Sequence, residues 1–160
     1  MAAQNSVSIL KRDHKTVKQL FKRLDQEKAD KWNLFEQIKS ALEVHATLEE
    51  EIFYPALKQA RAEHVTEEVL EAYEEHKQIK TLLGEIAESR TGNERFDAKL
   101  KVLKEDVEHH VEEEEGQMFP DAKKFLGDTR LTALGAELET RKRELEKMGG
   151  AKSQQETRSD

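Results

Sequence analysis

The sequence predicts an all-α protein: an up-down-up-down four-helix bundle followed by an additional C-terminal helix and a disordered tail. Three observations carry this reading. Apolar residues recur at alternating spacings of three and four along four successive segments, each stripe forming one face of a helix. Of the 160 residues, 38% are charged and 36% hydrophobic, with two prolines and seven glycines, a balance that suits helices with charged outer faces rather than a turn-rich β fold. The pattern of the first half also recurs in the second, so two helical hairpins can face each other across one core. The domain is expected to span residues 1–148, with the bundle over about 8–126, the extra helix over about 129–148 and the tail over 149–160.

The first segment opens at cap candidates between Asn5 and Ser8 and carries the stripe Leu10, His14, Val17, Phe21 and Leu24. It ends near Asp25 to Asp30, where Asp30 is a candidate cap for the next helix. The second stripe reads Phe35, Ile38, Leu42, His45, Glu49, Ile52 and Ala56, with His45 and Glu49 in slots where Leu or Ile would be expected. Pro55 lies inside this pattern and removes a helical hydrogen bond, so a local distortion is expected there. After a polar break, Thr66 with Glu67 and Glu68 suits a helix start, and Val69, Ala72, His76, Ile79, Leu83 and Ile86 form the third stripe. Thr91-Gly92-Asn93 breaks the chain again. The fourth stripe is Phe96, Leu100, Leu103, Val107, His110 and Glu114; shifting it to include His109 and Glu113 would bring in Val102 and Asp106, a poorer apolar face. Gly127-Asp128-Thr129 opens the fifth segment, with Leu131, Leu134, Leu138, Leu145 and Met148 on one side, and Gly149-Gly150 ends it.

Composition excludes several function classes. Cysteine is absent, which removes disulfides, thiolate metal sites and cysteine nucleophiles. A formal net charge of −7 argues against non-specific nucleic-acid binding, which needs clustered cations. No apolar run approaches the roughly 18 residues of a membrane span, and no signal peptide is recognisable. No nucleic-acid or membrane partner is therefore expected, and the expected location is the cytoplasm.

The chemistry lies in a repeated stretch. His45-Ala-Thr-Leu-Glu49-Glu50 leads to Tyr54-Pro55, and His110-Val-Glu-Glu-Glu114-Glu115 leads to Phe119-Pro120. Each His and Glu sit one helical turn apart on the same face. The preceding helix of each half adds one histidine in an acid-His-Lys context, Asp13-His14-Lys15 and Glu75-His76-Lys77. A facing pair of such hairpins gathers four His and two Glu in one core layer. Any one of these histidines alone would be an ordinary core residue with a single hydrogen-bond partner. Together they are too costly: unpartnered buried polar groups cost about 1–3 kcal/mol each, against a stability of roughly 5–15 kcal/mol. Bound cations remove that cost, because neutral imidazoles and carboxylates become their ligands. Six ligands exceed what one tetrahedral zinc uses, and two bridging carboxylates with imidazoles at both ends suit a pair of iron or manganese ions.

With these motifs the chain resembles the hemerythrin-like proteins of the HHE cation-binding domain family, over about residues 8–126. The resemblance implies two non-haem iron ions (Fe2+/Fe3+) with an oxo or hydroxo bridge, Mn or Zn being possible substitutes. His14, His45, His76 and His110 would be terminal ligands, and Glu49 and Glu114 the bridging carboxylates, with Glu115 a rival to Glu114. It further implies a protein that binds, senses or detoxifies O2, peroxide (H2O2) or nitric oxide (NO), or that buffers iron. The alternatives are a di-iron oxidase or an enzyme of peroxidase or catalase type, and a metal-free helical interaction module. Oxygen-carrying hemerythrins place a second His one turn after the first on the third helix; this chain has Lys80 there, which leaves a more open coordination position. His64 and His109 are expected at the surface.

Overall fold

The computed structural model describes residues 4–26, 30–89 and 94–158. Among them are six α-helical stretches and two π turns: α1 (Ser6–Gln26), α2 (Lys31–Leu48), a first π turn (Glu49–Phe53), α3 (Tyr54–Lys58), α4 (Glu63–Ser89), α5 (Glu94–Glu113), a second π turn (Glu114–Met118) and α6 (Phe119–Arg158). Through the π turns, α2 runs on into α3 and α5 into α6. The bundle therefore has four rods: α1, α2–α3, α4 and α5 with the start of α6. α1 packs on α2 and α4 on α5, which are the two hairpins, and the later part of α6 lies across α1 and α2. Among the described residues no helix is long and apolar enough to cross a membrane.

The stripes read from the sequence are the buried faces. Leu10, Val17, Phe21 and Leu24 of α1 are buried, as are Phe35, Ile38 and Leu42 of α2, Val69, Ala72, Ile79, Leu83 and Ile86 of α4, and Phe96, Leu100, Leu103 and Val107 of α5. They form two apolar clusters. One gathers Ile9, Leu10, Phe53, Tyr54, Leu57 and Val69 with Leu131 and Leu138 of α6; the other gathers Val17, Phe21, Phe35, Ile38, Leu83 and Phe96. The buried histidines and glutamates lie between them in sequence along every rod.

Several helix ends differ from the sequence reading. Asn5 caps α1, its Oδ1 accepting from the Ser8 N–H at 2.9 Å. Asp30 does hold the N-cap position of α2, but in a left-handed conformation (φ 70°) with no side-chain cap bond, so its carboxylate does not do the capping. α4 starts at Glu63, three residues before Thr66, directly after Arg61 turns the chain at φ 56°. The break at Thr91-Gly92-Asn93 falls outside the described residues. Helical backbone continues through Gly149-Gly150 to Arg158, so the last helix does not end at the glycines; glycine weakens a helix by about 1 kcal/mol but keeps its N–H and does not break it. Of the fifth segment's stripe, Leu131, Leu134 and Leu138 are buried, whereas Met148 is exposed.

Pro55 distorts its rod as expected, and the distortion takes a definite form. A proline ring clashes with the carbonyl four residues back and offers no N–H to it. Both rods respond by widening one turn just before the proline: the Tyr54 N–H donates to Glu49 O, and the Phe119 N–H to Glu114 O, five residues back in each case. The added residue rotates the inward face by one position. Phe53 becomes fully buried and Ile52 only partly so; Met118 and Phe119 are buried likewise.

Two glycines have opposite roles. Gly127 kinks α6 at φ 76°, ψ 166°, a region that residues with a Cβ essentially never occupy, and this turns the fifth helix back over the bundle. Gly84 is helical, with nothing within 4 Å of where a Cβ would stand. Gly127→Ala is expected to destabilise the protein by about 1–3 kcal/mol, while Gly84→Ala is expected to stabilise it by about 0.5–1 kcal/mol. Thermal denaturation of the two variants beside the parent checks both, and loss of stability in Gly84→Ala would contradict the open helical site.

Candidate metal centre

Each rod brings one histidine into a single layer: His14 from α1, His45 from α2, His76 from α4 and His110 from α5, all buried. Glu49 and Glu114 open the two π turns and are 0% and 1% exposed. These six side chains form two overlapping groups, His14, His45, Glu49, Glu114 and Glu49, His76, His110, Glu114, within each of which one ligand atom per residue lies within 4.8 Å of all the others. Both groups share both carboxylates.

The distances repeat across the two halves. His14 Nε2 and His45 Nε2 are 3.2 Å apart, as are His76 Nε2 and His110 Nε2. Glu49 Oε1 lies 3.2 Å from His45 Nε2 and 3.1 Å from His76 Nε2, so one oxygen faces both groups. Glu114 divides its oxygens, Oε1 being 3.1 Å from His14 Nε2 and Oε2 being 3.1 Å from His110 Nε2. Despite these approaches, Glu49 Oε1, Glu49 Oε2 and Glu114 Oε1 make no hydrogen bond. Three orphaned carboxylate oxygens in a dry core are what a cation would satisfy. Nitrogens about 3 Å apart also match two bonds of about 2.0–2.1 Å meeting at nearly a right angle. The donor set fits a pair of metal ions.

Electrostatics in the layer are strongly coupled. Burial opposes charge on His45, but the Glu49 carboxylate beside it, the hydrogen bond to Asp13 and the nearby Glu114 outweigh that and hold its pKa well above the usual histidine value. His110 is raised likewise, burial being overcome by Glu114. Glu114 is held well below the usual carboxylate range, Glu49 and the imidazoles of His110 and His14 outweighing its burial, and Glu49 is lowered too. Without a metal the layer thus balances its charge with imidazolium against carboxylate.

An outer ring of acids, not identified from the sequence, repeats with the same symmetry. His45 Nδ1–H donates to Asp13 Oδ2 at 3.0 Å, and His110 Nδ1–H to Glu75 Oε1 at 3.2 Å. His14 Nδ1 lies 3.3 Å from Glu115 Oε2, and His76 Nδ1 3.7 Å from Glu50 Oε2. The acid before each lone histidine therefore orients the histidine of the neighbouring helix, and the acid after each core glutamate faces the lone histidine. The repeats Asp13-His14 with Glu75-His76, and Glu49-Glu50 with Glu114-Glu115, were the signal. Glu115 meets the outer edge of His14 and stands outside the layer that contains Glu114.

Tyr54, fully buried, was seen in the sequence only as part of an aromatic-Pro pair. Its hydroxyl donates to Glu114 Oε2 at 2.5 Å and lies 3.3 Å from His76 Nε2. Burial and the charges of Glu49 and Glu114 push its pKa well above 10.0, so the phenol keeps its proton. The symmetric position is Phe119, which stacks on His14. Lys80 is not among the layer's donors, and its ammonium pairs with Glu50 at 3.0 Å. His64 and His109 lie at the surface.

Two cavities meet the layer. One of about 30 Å³ is walled by all four histidines together with Val17, Leu42, Ile79 and Val107. The other, of about 20 Å³, is walled by His110 and Glu114 and by the acids Glu68, Glu71, Glu75 and Glu113. There burial and the neighbouring Asp121 carboxylate raise Glu68 to about 7.

Three comparisons bear on this arrangement. A family model described as Hemerythrin HHE cation binding domain matches residues 5–122. The chain is 28% identical over 149 residues to a DNA nickase from Nostoc sp. (strain PCC 7120 / SAG 25.82 / UTEX 2576), a match that covers 91% of this chain and 42% of that protein. It thus spans about two fifths of the length of that curated relative. The fold is similar to the crystal structure of a hemerythrin HHE cation binding domain-containing protein from Mycobacterium kansasii, with a TM-score of 0.78 at 24% identity, covering 89% of this chain and 87% of that one.

The raised Glu68 has a consequence for stability. Between its ordinary value of 4.5 and about 7 the folded chain holds more protons than the unfolded one, so stability falls as pH rises through that window. Glu68→Gln is expected to raise the melting temperature at pH 8 and to change little at pH 4. The gain should be about 1 kcal/mol or less, because these carboxylates are partly exposed and screened. Melting curves at the two pH values check it; an equal effect at both would contradict the crowding.

Proposed function

Because this chain belongs to the hemerythrin HHE cation-binding family, we propose that its buried layer holds two non-haem iron ions and that the protein binds, senses or detoxifies dioxygen, peroxide or nitric oxide there, or buffers iron. The observation that carries this reading is the pair of four-residue groups sharing Glu49 and Glu114, with three carboxylate oxygens left without hydrogen bonds. In the proposal His14 and His45 would hold one ion and His76 and His110 the other, with Glu49 and Glu114 available to both. Bound iron supplies Lewis acidity and redox chemistry. The chain supplies everything around that.

The protein's own contribution is orientation, exclusion of water and control of one proton. Asp13, Glu75 and Glu115 meet the outer nitrogens of His45, His110 and His14, which directs those three Nε2 atoms inward, and Glu50 faces the outer nitrogen of His76 at 3.7 Å. The two apolar clusters keep bulk water from the layer. The cavity of about 30 Å³ has room for a small molecule of two or three heavy atoms and touches all four histidines. Lys80 contributes no donor to the centre, since its ammonium is engaged by Glu50. That absence of a further imidazole favours a reactive or ligand-exchanging centre over stable reversible carriage.

A second reading, an enzyme of oxidase or peroxidase type, is favoured by Tyr54. Its phenol keeps a proton against Glu114 and 3.3 Å from His76 Nε2, so it could act as a general acid beside the layer. DNA nicking, the activity in the name of the Nostoc relative, has no such support: the net charge of −7 offers no electrostatic attraction for a phosphate backbone.

Anaerobic loading with ferrous iron followed by air is expected to give two irons per chain and a near-ultraviolet charge-transfer band. Uptake of one metal ion or none would sink the proposal. Glu49→Ala or Glu114→Ala should lower iron content far more than Glu113→Ala; equal loss in all three would mean that the core glutamates are not the ligands. In loaded protein, Tyr54→Phe is expected to slow peroxide consumption by about tenfold or more with unchanged iron content if the enzyme reading holds. Unchanged consumption would leave binding or sensing as the function.

A further inference from the structure

The later part of α6 lies outside the four-rod bundle and contributes no residue to the central layer, yet it touches the supports of one half of that layer. Lys142 Nζ donates to Asp13 Oδ1 at 2.7 Å, while Asp13 Oδ2 accepts from His45 Nδ1 at 3.0 Å. Lys142, Asp13 and His45 thus form a continuous polar chain from the fifth helix to an inward-facing imidazole. Its middle member is only 8% exposed. One residue earlier, Arg141 grips Glu51 through two parallel bonds, Nε to Oε2 at 2.8 Å and Nη2 to Oε1 at 3.2 Å. Glu51 belongs to the π turn that carries Glu49. Two adjacent cations on α6 therefore hold both the acid that orients His45 and the turn that presents Glu49.

Among the described residues α6 gives the other half no such anchor. Glu75 is the symmetry partner of Asp13 and orients His110 at 3.2 Å, but its remaining neighbours are Glu113 and the exposed His109. We propose that α6 is a positioning element for the metal centre: Lys142, acting through Asp13, fixes the ring of His45 and makes the His14/His45 position the tighter of the two. A carboxylate with a lysine on its far oxygen has one rotamer to offer the imidazole, and its full negative charge is kept in a nearly dry site. The loaded state rests on the proposed metal function; the fixing of His45 does not.

The test uses the full chain with Lys142→Met, which keeps the length of the stem and removes its charge, and Lys142→Arg as the conservative variant. In metal-free protein, proton–nitrogen spectra of the imidazolium rings are expected to show the His45 Nδ1–H, held against Asp13, as a slowly exchanging signal in the parent and to lose it to exchange with water in Lys142→Met. The His110 signals should stay as in the parent, and Lys142→Arg should return His45 to the parental pattern. In stepwise cobalt(II) titrations followed by absorbance, Lys142→Met should weaken one of two binding steps by about tenfold while the other stays within about twofold. Unchanged His45 signals, or equal changes at His45 and His110, would overturn the proposal. A parent chain that takes up no metal while Lys142→Met still releases His45 would support the positioning role and overturn the metal reading alone.

Discussion

The structure depends on one constraint: six ionisable side chains share a dry layer in the middle of a bundle. Four imidazoles point their Nε2 atoms at two carboxylates, and three of the four carboxylate oxygens have no hydrogen bond. Side chains that merely stabilised a fold would not be arranged so, since each unpaired buried group costs about 1–3 kcal/mol. A leucine in each slot would pack the same helices at no such cost. The layer is thus maintained against stability, and the rest of the sequence is legible as what lets it exist. Apolar clusters flank it, acids brace the outer nitrogens, and a fifth helix covers one side.

The two π turns show how backbone chemistry serves that layer. A regular helix brings residues inward at alternating spacings of three and four, which places His45 and Glu49 together but would next bring Ile52 to the core. The π turn adds one residue, so Phe53 and Tyr54 take the inward positions instead. In the other rod Met118 and Phe119 do the same. The prolines at 55 and 120 favour the wider turn, since a regular one would aim an absent N–H at a carbonyl four residues back. Each proline thus helps to place an aromatic ring over a histidine: Tyr54 beside His76 and Phe119 on His14. The distortion is local in sequence but decisive in the core, because only the shifted register sends the Tyr54 hydroxyl to Glu114.

Much of this was legible in the sequence, for a physical reason. Helical periodicity reports which face is buried, and residues such as His14 or Glu114 on an otherwise apolar stripe are conspicuous because burial of charge is expensive. The bundle, its stripes and the convergence of the six side chains followed from that. Features set by distance in space did not follow. The bracing of His45 by Asp13 crosses from one helix to the next, and a stripe says nothing about neighbours on its rim. Helix starts were misplaced where backbone conformation decided them, as at Arg61, and the side-chain cap expected of Asp30 failed because that residue turns left-handed. Pro55 announced a distortion, while the register shift that follows from it needed the hydrogen bond from Tyr54 to Glu49 to be seen.

The duplicated hairpin gives two equal groups of donors, so the departures from symmetry are informative. On the His14/His45 side, the ring over the layer is Phe119, which has no proton to give, and Asp13 is tied to Lys142. On the His76/His110 side, the ring is Tyr54 with its hydroxyl against Glu114, and Glu50 is drawn by Lys80 to 3.7 Å from His76 Nδ1, which is left without a hydrogen bond. One side is braced at both outer nitrogens; the other has a proton donor and a histidine whose outer nitrogen is free. A symmetric pair of identical positions would suit storage of two equivalent ions. Unequal positions suit chemistry in which one side holds while the other exchanges, and here the proton donor and the loosely held imidazole fall on the same side.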